Sequence, residues 1–529
     1  MAHPAQQFVD EHAANVAPLL ERLQTATWNL NVTGKEEYAR ERAELDAALT
    51  RIYADAAEFA RLKAWRARRI GDQLLARQVN MLHRAYLGNQ KDEDTIARMA
   101  KLEADVELAF NTHRGIFEGG PASDNDLRLV LAIETDPARR RAAWEASKQV
   151  GPVVAPRVLD LVRLRNRVAQ KMGFNDHYRM SLVLQEIDDQ RLSGLLDELE
   201  RQTRDPFAAA KAKLDAYLAD RFRIEVEDLR PWHYADFFFQ DAPADARVDL
   251  GSFFADRDLV ALAVRTYDGI GLDIRPVLAR SDLFPREGKS QHAFCFSIDR
   301  DGDVRVLCSV QPDEHWMSTL LHEFGHAAYD RYLDPELPFL LREPAHTLLT
   351  EAVAMVMGRL TKDGHWLRSV AGIPEDKLGP ILPHIVEHSR LAMLVFVRWC
   401  LVMTHFERDL YRDPEQDLAT LWWDYVEEFQ MLTRPEGRRE PDWAAKIHLA
   451  VAPVYYHNYL VGEMVASQLH HSIVERVNPL GVVDSPAVGE FLRANLFALG
   501  ARYPWEETIE WLTGERLNPR YFAQQFVHG

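Results

Sequence analysis

Residues Trp316–Tyr329 read WMSTLLHEFGHAAY, and their apolar positions recur at helical spacing. His322 and His326 stand at i and i+4, so one turn of helix puts both imidazoles on one face. Two neutral imidazoles placed in this way can share one Zn²⁺, an ion that accepts nitrogen ligands in tetrahedral geometry. Glu323 follows the first histidine directly, which carries its carboxylate to a water at the metal rather than to the metal itself. This is the HExxH pattern of zinc peptidases, with the helical context that separates it from a chance match.

A catalytic site needs a third protein ligand and an open fourth position. Downstream, Ala345–Gly358 reads as a second helix, and Glu351 is the one charged residue in the apolar run from Leu348 to Met357. A carboxylate on an apolar helix is costly unless it is paired or metal-bound. Its partner is then either the metal held by His322 and His326, or a buried arginine such as Arg390 or Arg398. In the first case zinc polarises a scissile carbonyl, and Glu323 serves as general base and then as general acid toward the leaving amine.

Upstream, His292–Ile298 and Val304–Val310 are rich in aromatic and β-branched residues. Asp299-Arg300-Asp301-Gly302-Asp303 lies between them as a turn signal. The pattern predicts a β-hairpin over about 292–310. It is either a purely structural hairpin or an edge strand that pairs with an extended peptide.

Elsewhere the chain reads as helix, with helical spacing over 8–24, 36–118, 157–172, 191–220 and 380–412, and no repeats or low-complexity linkers. At 529 residues it exceeds the roughly 250–300 at which a single core stops growing, so two packed halves, or one large fold split by a cleft, are expected. The formal net charge of −18 speaks against nucleic acid as a partner, because phosphate binding needs a basic footprint. The three cysteines, Cys295, Cys308 and Cys400, form neither a disulfide framework nor a CxxC motif. The first residues lack a basic segment followed by an apolar one, and no apolar run reaches the ~20 residues that span a bilayer. A cytoplasmic protein without membrane contact is therefore expected, in which the sequon at Asn31 is fortuitous.

Further segments extend the reading beyond the metal motif. They are Ala26-Thr27-Trp28-Asn29-Leu30-Asn31, Ala142-Ala143-Trp144-Glu145 and Leu341-Arg342-Glu343 before Glu351. Lys446-Ile447-His448-Leu449 follows, then Tyr455, Tyr456 and Tyr459, Gln468-Leu469-His470, Tyr503-Pro504-Trp505 and Leu512-Thr513-Gly514. In these islands the chain resembles the angiotensin-converting-enzyme family of gluzincins, and more loosely the thimet-oligopeptidase relatives. The resemblance implies a mostly α fold, a helical ellipsoid with a deep central cleft between two halves and a small hairpin beside the zinc. One peptidase domain of two subdomains would then cover 1–529. It further implies one Zn²⁺ on His322, His326 and Glu351, with Glu323 as base and acid, and a peptide substrate that loses C-terminal dipeptides.

By the same resemblance Lys446 holds the substrate's C-terminal carboxylate, and His448 contacts the peptide near the scissile bond. His292 and Ala293 match the strand lining the substrate. The family's two tyrosines, for the carboxylate and the oxyanion, fall on Tyr456 and Tyr459 if one residue is inserted after His448. Without the insertion Tyr455 matches and Asn458 replaces the second. Chemistry agrees with these roles, since a carboxylate needs a cation and an oxyanion a neutral donor. Taken alone, Lys446 would read as a solvated surface lysine and the tyrosines as core. The chain departs from the family at Met355, where an acidic residue four after the third ligand is expected, at Asn458, where an arginine that helps bind chloride is expected, and at Pro344 and His346. An oligoendopeptidase or single-residue carboxypeptidase of the same chemistry, an inactive peptide-binding protein, and a helical scaffold are the competing readings.

Overall fold

The computed structural model of the chain describes residues 4–243, 245 and 247–528. The fold is mostly α, with two small antiparallel two-stranded sheets among the described residues. Aspartate at the N-cap starts many of the helices: Asp188 accepts from the Arg191 amide ahead of Asp189–Phe222, and Asp313 from the Trp316 amide ahead of Glu314–Arg331. Each such carboxylate satisfies an amide that has no partner inside the helix.

The helical stretch predicted over 36–118 is not continuous. It divides into Glu36–Tyr53, Ala56–Arg66, Gln73–Gly88 and Glu93–Thr112, the last three capped by Asp55, Asp72 and Asp92. It ends in a hairpin, Gly115–Phe117 with Gly120–Ala122, whose two-residue turn takes positive φ at Glu118 (51°) and Gly119 (81°). That turn matches the twist of the strands it joins.

The chain forms two compact units. One comprises Met1–Gln90, Ala246–Val386 and Val461–Phe522, the other Lys91–Asp245, Glu387–Leu460 and Ala523–Gly529. In the first, Phe8, Val9, Leu62, Val79 and Tyr86 from the opening helices pack into one apolar cluster. In the second, Trp144 packs against Trp232 and Trp423, with ring centroids 5.8 and 6.3 Å away.

The hairpin predicted over 292–310 belongs to the first unit and is narrower than expected. Phe294–Ser297 pairs with Val304–Leu307, and Asp299 closes the turn by accepting the amides of Asp301 and Asp303 at 2.8 and 3.0 Å. Asp282 covers the outer edge of the second strand through the Asp282 amide to Val306 and the Cys308 amide to Asp282. The Phe294–Ser297 strand is therefore the open edge of this sheet among the described residues.

Candidate metal centre and substrate-binding residues

Glu314–Arg331 and Thr347–Gly358 bring His322, His326 and Glu351 together within the first unit. His346 starts the second of these helices, its Nδ1 accepting from the Leu348 amide at 3.1 Å. The helices pack closely because glycines face the contact. A Cβ at Gly358 would stand 3.4 Å from the His322 Cβ, and Ser318 Oγ donates to the Gly358 carbonyl at 2.9 Å.

The Nε2 atoms of His322 and His326 are 3.2 Å apart, and they lie 3.6 and 3.7 Å from the two Glu351 oxygens. Tetrahedral ligands at the zinc–nitrogen distance of about 2.0–2.1 Å stand about 3.3 Å from one another, so this donor triangle fits such an ion with little adjustment. Burial pushes the imidazoles down to about 4 for His322 and about 3 for His326. Both are neutral at physiological pH, with lone pairs available. For His326 Nε2 to present its lone pair, Nδ1 must carry the proton, and it meets Thr350 Oγ1 at 2.7 Å. The His322 ring is held by the Ala354 carbonyl. At the position where an acidic residue was expected, Met355 instead packs its sulfur 3.6 Å from where a Gly462 Cβ would stand. The arginine alternative for Glu351 is not what Arg398 serves, since Glu200 takes it at 2.9 Å.

Glu323 is buried beside this set. Desolvation first, and the Glu351 carboxylate second, raise it to about 8. A cavity of about 470 Å³ opens onto all four residues and is also lined by Ala293, Phe294, Cys295, Asp330 and Glu343. Of the two strand residues expected here, Ala293 lines the cavity, whereas His292 is exposed and packs its ring 6.2 Å from Phe294.

The remaining expected residues belong to the second unit. Lys446 is not a solvated surface lysine. Its Nζ donates to Gln240 Oε1 at 2.7 Å and lies 5.1, 5.5 and 5.8 Å from the rings of Trp399, Phe238 and Tyr456. Burial brings it down to about 8, and no carboxylate pairs with it among the described residues. His448 packs its ring 5.1 Å from Tyr456, and its Nδ1 is buried without a hydrogen bond. Burial, followed by the Lys446 charge, lowers it to about 4, so it is neutral. Tyr459 packs edge-on to Tyr455 and Tyr456 at 5.1 and 5.4 Å. Tyr456 joins Lys446 and His448 through its ring.

Buried polar groups fix the segment between His448 and Tyr456. Arg165 donates to the carbonyls of Leu449 and Ala450, Glu407 accepts the Val454 amide at 2.7 Å, and Gln185 donates to the Val454 carbonyl at 3.1 Å. Asn458 donates to Gln185 at 2.7 Å. Thr350, Gln240 and Glu407 are absent from the sequence reading. Nothing local marks Gln240 or Glu407, while Thr350 is visible only as a hydroxyl next to Glu351.

His322 and His326 of the HExxH helix and Glu351 of the next helix, on a mostly α chain, form a donor set that could hold one metal ion. The sequence profile of angiotensin-converting enzyme matches residues 1–224 and 285–523, and the chain belongs to that peptidase family. It is 22% identical to the angiotensin-converting enzyme-like protein Ace3 of Mus musculus, over 97% of this chain and 73% of that protein. It is 24% identical to the angiotensin-converting enzyme-related protein of Drosophila melanogaster, over 44% of this chain and 40% of the relative. A Caenorhabditis elegans protein named as an inactive angiotensin-converting enzyme-related protein is 22% identical over 40% of this chain and 24% of its own length. No helix among the described residues is long and apolar enough to cross a membrane.

Proposed function

We propose that the chain is a zinc-dependent peptidase that releases dipeptides from the C-termini of short peptides. The observation that carries this reading is the complete set of neutral His322, neutral His326, Glu351 and buried Glu323 on one cavity. Bound there, zinc supplies Lewis acidity toward water and a carbonyl. Glu323, buried beside the three donors on the same cavity, suits the transfer of a proton from attacking water to the leaving amine. Lys446, an ammonium in an aromatic and amide cage without a carboxylate partner, suits a substrate carboxylate. His448 and Tyr459 offer neutral donors to a substrate carbonyl and its oxyanion, and Tyr456, beside Lys446, supports the carboxylate end.

The test is mass spectrometry of products from a mixed peptide library, with and without a chelator, beside Glu323→Gln and Lys446→Ala. Release of C-terminal dipeptides that stops with chelator is expected. Glu323→Gln should keep the metal and lose about 10²–10⁴-fold in kcat. Lys446→Ala should raise KM for free C-termini and leave amidated peptides, already poor substrates, little changed. Internal cuts insensitive to amidation would move the protein to the oligoendopeptidase reading. Full activity in Glu323→Gln would overturn the base assignment, and zinc-loaded protein that binds peptides without cutting any would make it a peptide-binding relative.

A further inference from the structure

The helix Glu314–Arg331 carries a further polar side chain on the stripe that carries the two histidines. Asp330 stands four residues beyond His326 and eight beyond His322, one turn further along the same face. It lines the same cavity. Neither of its oxygens has a hydrogen-bond or ion-pair partner among the described residues. Arg300, whose charge it feels, pairs with Glu343 at 2.5 Å and lies 5.3 Å over the Phe339 ring.

Nothing about this position favours a carboxylate for the sake of the fold. The surrounding protein desolvates it although its side chain stays partly open to the cavity, and a desolvated charge without partners is costly. It sits in the last turn of its helix, where the macrodipole is negative and disfavours an anion. Glu343 adds a like charge, and burial with Glu343 raises Asp330 to about 7. With a divalent metal on the histidines and Arg300 on Glu343, the carboxylates of Glu323, Glu351 and Glu343 are balanced and Asp330 is not. An apolar residue would serve the cavity wall better, unless the missing partner arrives with the substrate.

We infer that Asp330 is a specificity-determining residue that receives a cationic group, an ammonium or a guanidinium, from the acyl side of the scissile bond. The inference rests on the peptidase reading above. The side follows from charge. No lysine or arginine is among the residues lining this cavity, so it repels a C-terminal carboxylate, whereas Lys446 is built to attract one. The distance follows from helix geometry. Four residues of helix advance about 6 Å beyond His326, and an extended peptide advances about 3.3 Å per residue. The first or second residue before the scissile bond therefore reaches Asp330. A basic side chain there and a free α-amino group at the same place offer the same chemistry.

The experiment uses zinc-loaded full chain and short peptides identical except for Lys, Gln or Glu at each of the two positions before the released dipeptide, each with a free or acetylated amino terminus. Lys over Gln by tenfold or more in kcat/KM, with Glu poorest, is the expected order. Preference that survives acetylation assigns the cation to the side chain, and preference lost on acetylation assigns it to the α-amino group. Asp330→Asn should shrink the Lys-to-Gln ratio at least tenfold, and Asp330→Lys should invert the order toward Glu, with zinc content measured to show that each variant is assembled. A ratio unchanged in both variants overturns the inference and leaves the peptidase reading standing. Binding of the same peptides to zinc-loaded Glu323→Gln, read by calorimetry, separates the converse case. Asp330-dependent preference in binding without any cleavage by the parent protein supports Asp330 and sinks the peptidase reading, and binding without preference overturns the role of Asp330.

Discussion

Gly325 of the HExxH helix lies directly against Ala354 of the helix that carries Glu351: a Cβ on Gly325 would stand 2.8 Å from the Ala354 Cα and 3.2 Å from its nitrogen. Both neighbours are backbone atoms, so no rotamer change relieves the clash. Glycine in an exposed helix interior costs up to about 1 kcal/mol relative to alanine, which would make Gly325→Ala stabilising if the helices were free to move. Here overpacking wins, and a net loss of about 1–3 kcal/mol is expected. The same displacement moves Glu351 relative to His322 and His326, so zinc affinity falls along with thermal stability. Thermal unfolding and competition with a chromophoric chelator read the two effects, and a Gly325→Ala protein that melts higher and keeps its affinity would contradict the packing argument.

Thr350 is the hydroxyl that orients His326, at 2.7 Å from Nδ1. Such partners fix the tautomer of a metal-ligating imidazole, and their loss costs about 10–100-fold in metal affinity. Thr350→Val keeps the shape and removes the acceptor, and that loss in zinc affinity is expected. Thr350→Ser retains the oxygen and should stay near the parent value. Chelator competition on the two variants decides the matter: equal affinities would mean that His326 is oriented by packing alone.

The metal helices were legible because their evidence is local. An i, i+4 histidine pair and one carboxylate in an apolar run state the secondary structure and mark the side chains that meet, and the helices Glu314–Arg331 and Thr347–Gly358 lie where the spacing put them. The hairpin before them was legible from its Asp-Gly turn, although its strands are shorter than the run of β-formers suggested. Helical periodicity was blind to the breaks at Asp55, Asp72 and Asp92, where capping rather than hydrophobic pattern ends one helix and starts the next. Three-residue strands such as Gly115–Phe117 are too short to show alternation. Gln240 reaches Lys446 across 206 residues of chain, a contact that no local pattern encodes. Asp330 extends the histidine stripe by one turn, but a lone aspartate at a helix end reads as a solvated surface charge until its cavity is seen.

Lys446 gives the proposed carboxylate site a pH signature. Burial lowers its ammonium to about 8, so the free protein loses this charge as pH rises through that value. For peptides with free C-termini, kcat/KM should fall on the alkaline side with an apparent pKa near 8, because the cation that attracts the carboxylate is gone. The fall should appear in KM rather than kcat, since a bound carboxylate holds the proton on. Amidated peptides should lack this limb, and Lys446→Arg should move it out of range, the guanidinium staying charged. A matching alkaline limb for free and amidated peptides would place the titrating group elsewhere.

Val454 takes a left-handed backbone conformation, φ 54°, that a β-branched residue adopts at a cost of about 1–2 kcal/mol. It persists where Glu407 accepts its amide at 2.7 Å and Gln185 binds its carbonyl, just before Tyr456 and shortly after His448. Burial raises Glu407 to about 8, so its carboxyl is largely neutral at pH 7, and the group that matters is an oxygen acceptor rather than a charge. Glu407→Gln preserves that acceptor and should remain within about threefold of the parent in KM. Glu407→Ala leaves the Val454 amide buried without a partner, a loss of about 1–3 kcal/mol, and frees the segment that carries His448 to Tyr456. KM for free C-termini should then rise by about tenfold or more, with zinc affinity, set by His322, His326 and Glu351, much less affected. Steady-state kinetics on the two variants beside chelator competition make the comparison, and a Glu407→Gln protein as impaired as Glu407→Ala would show that the carboxylate charge, not its contact with Val454, is what the segment requires.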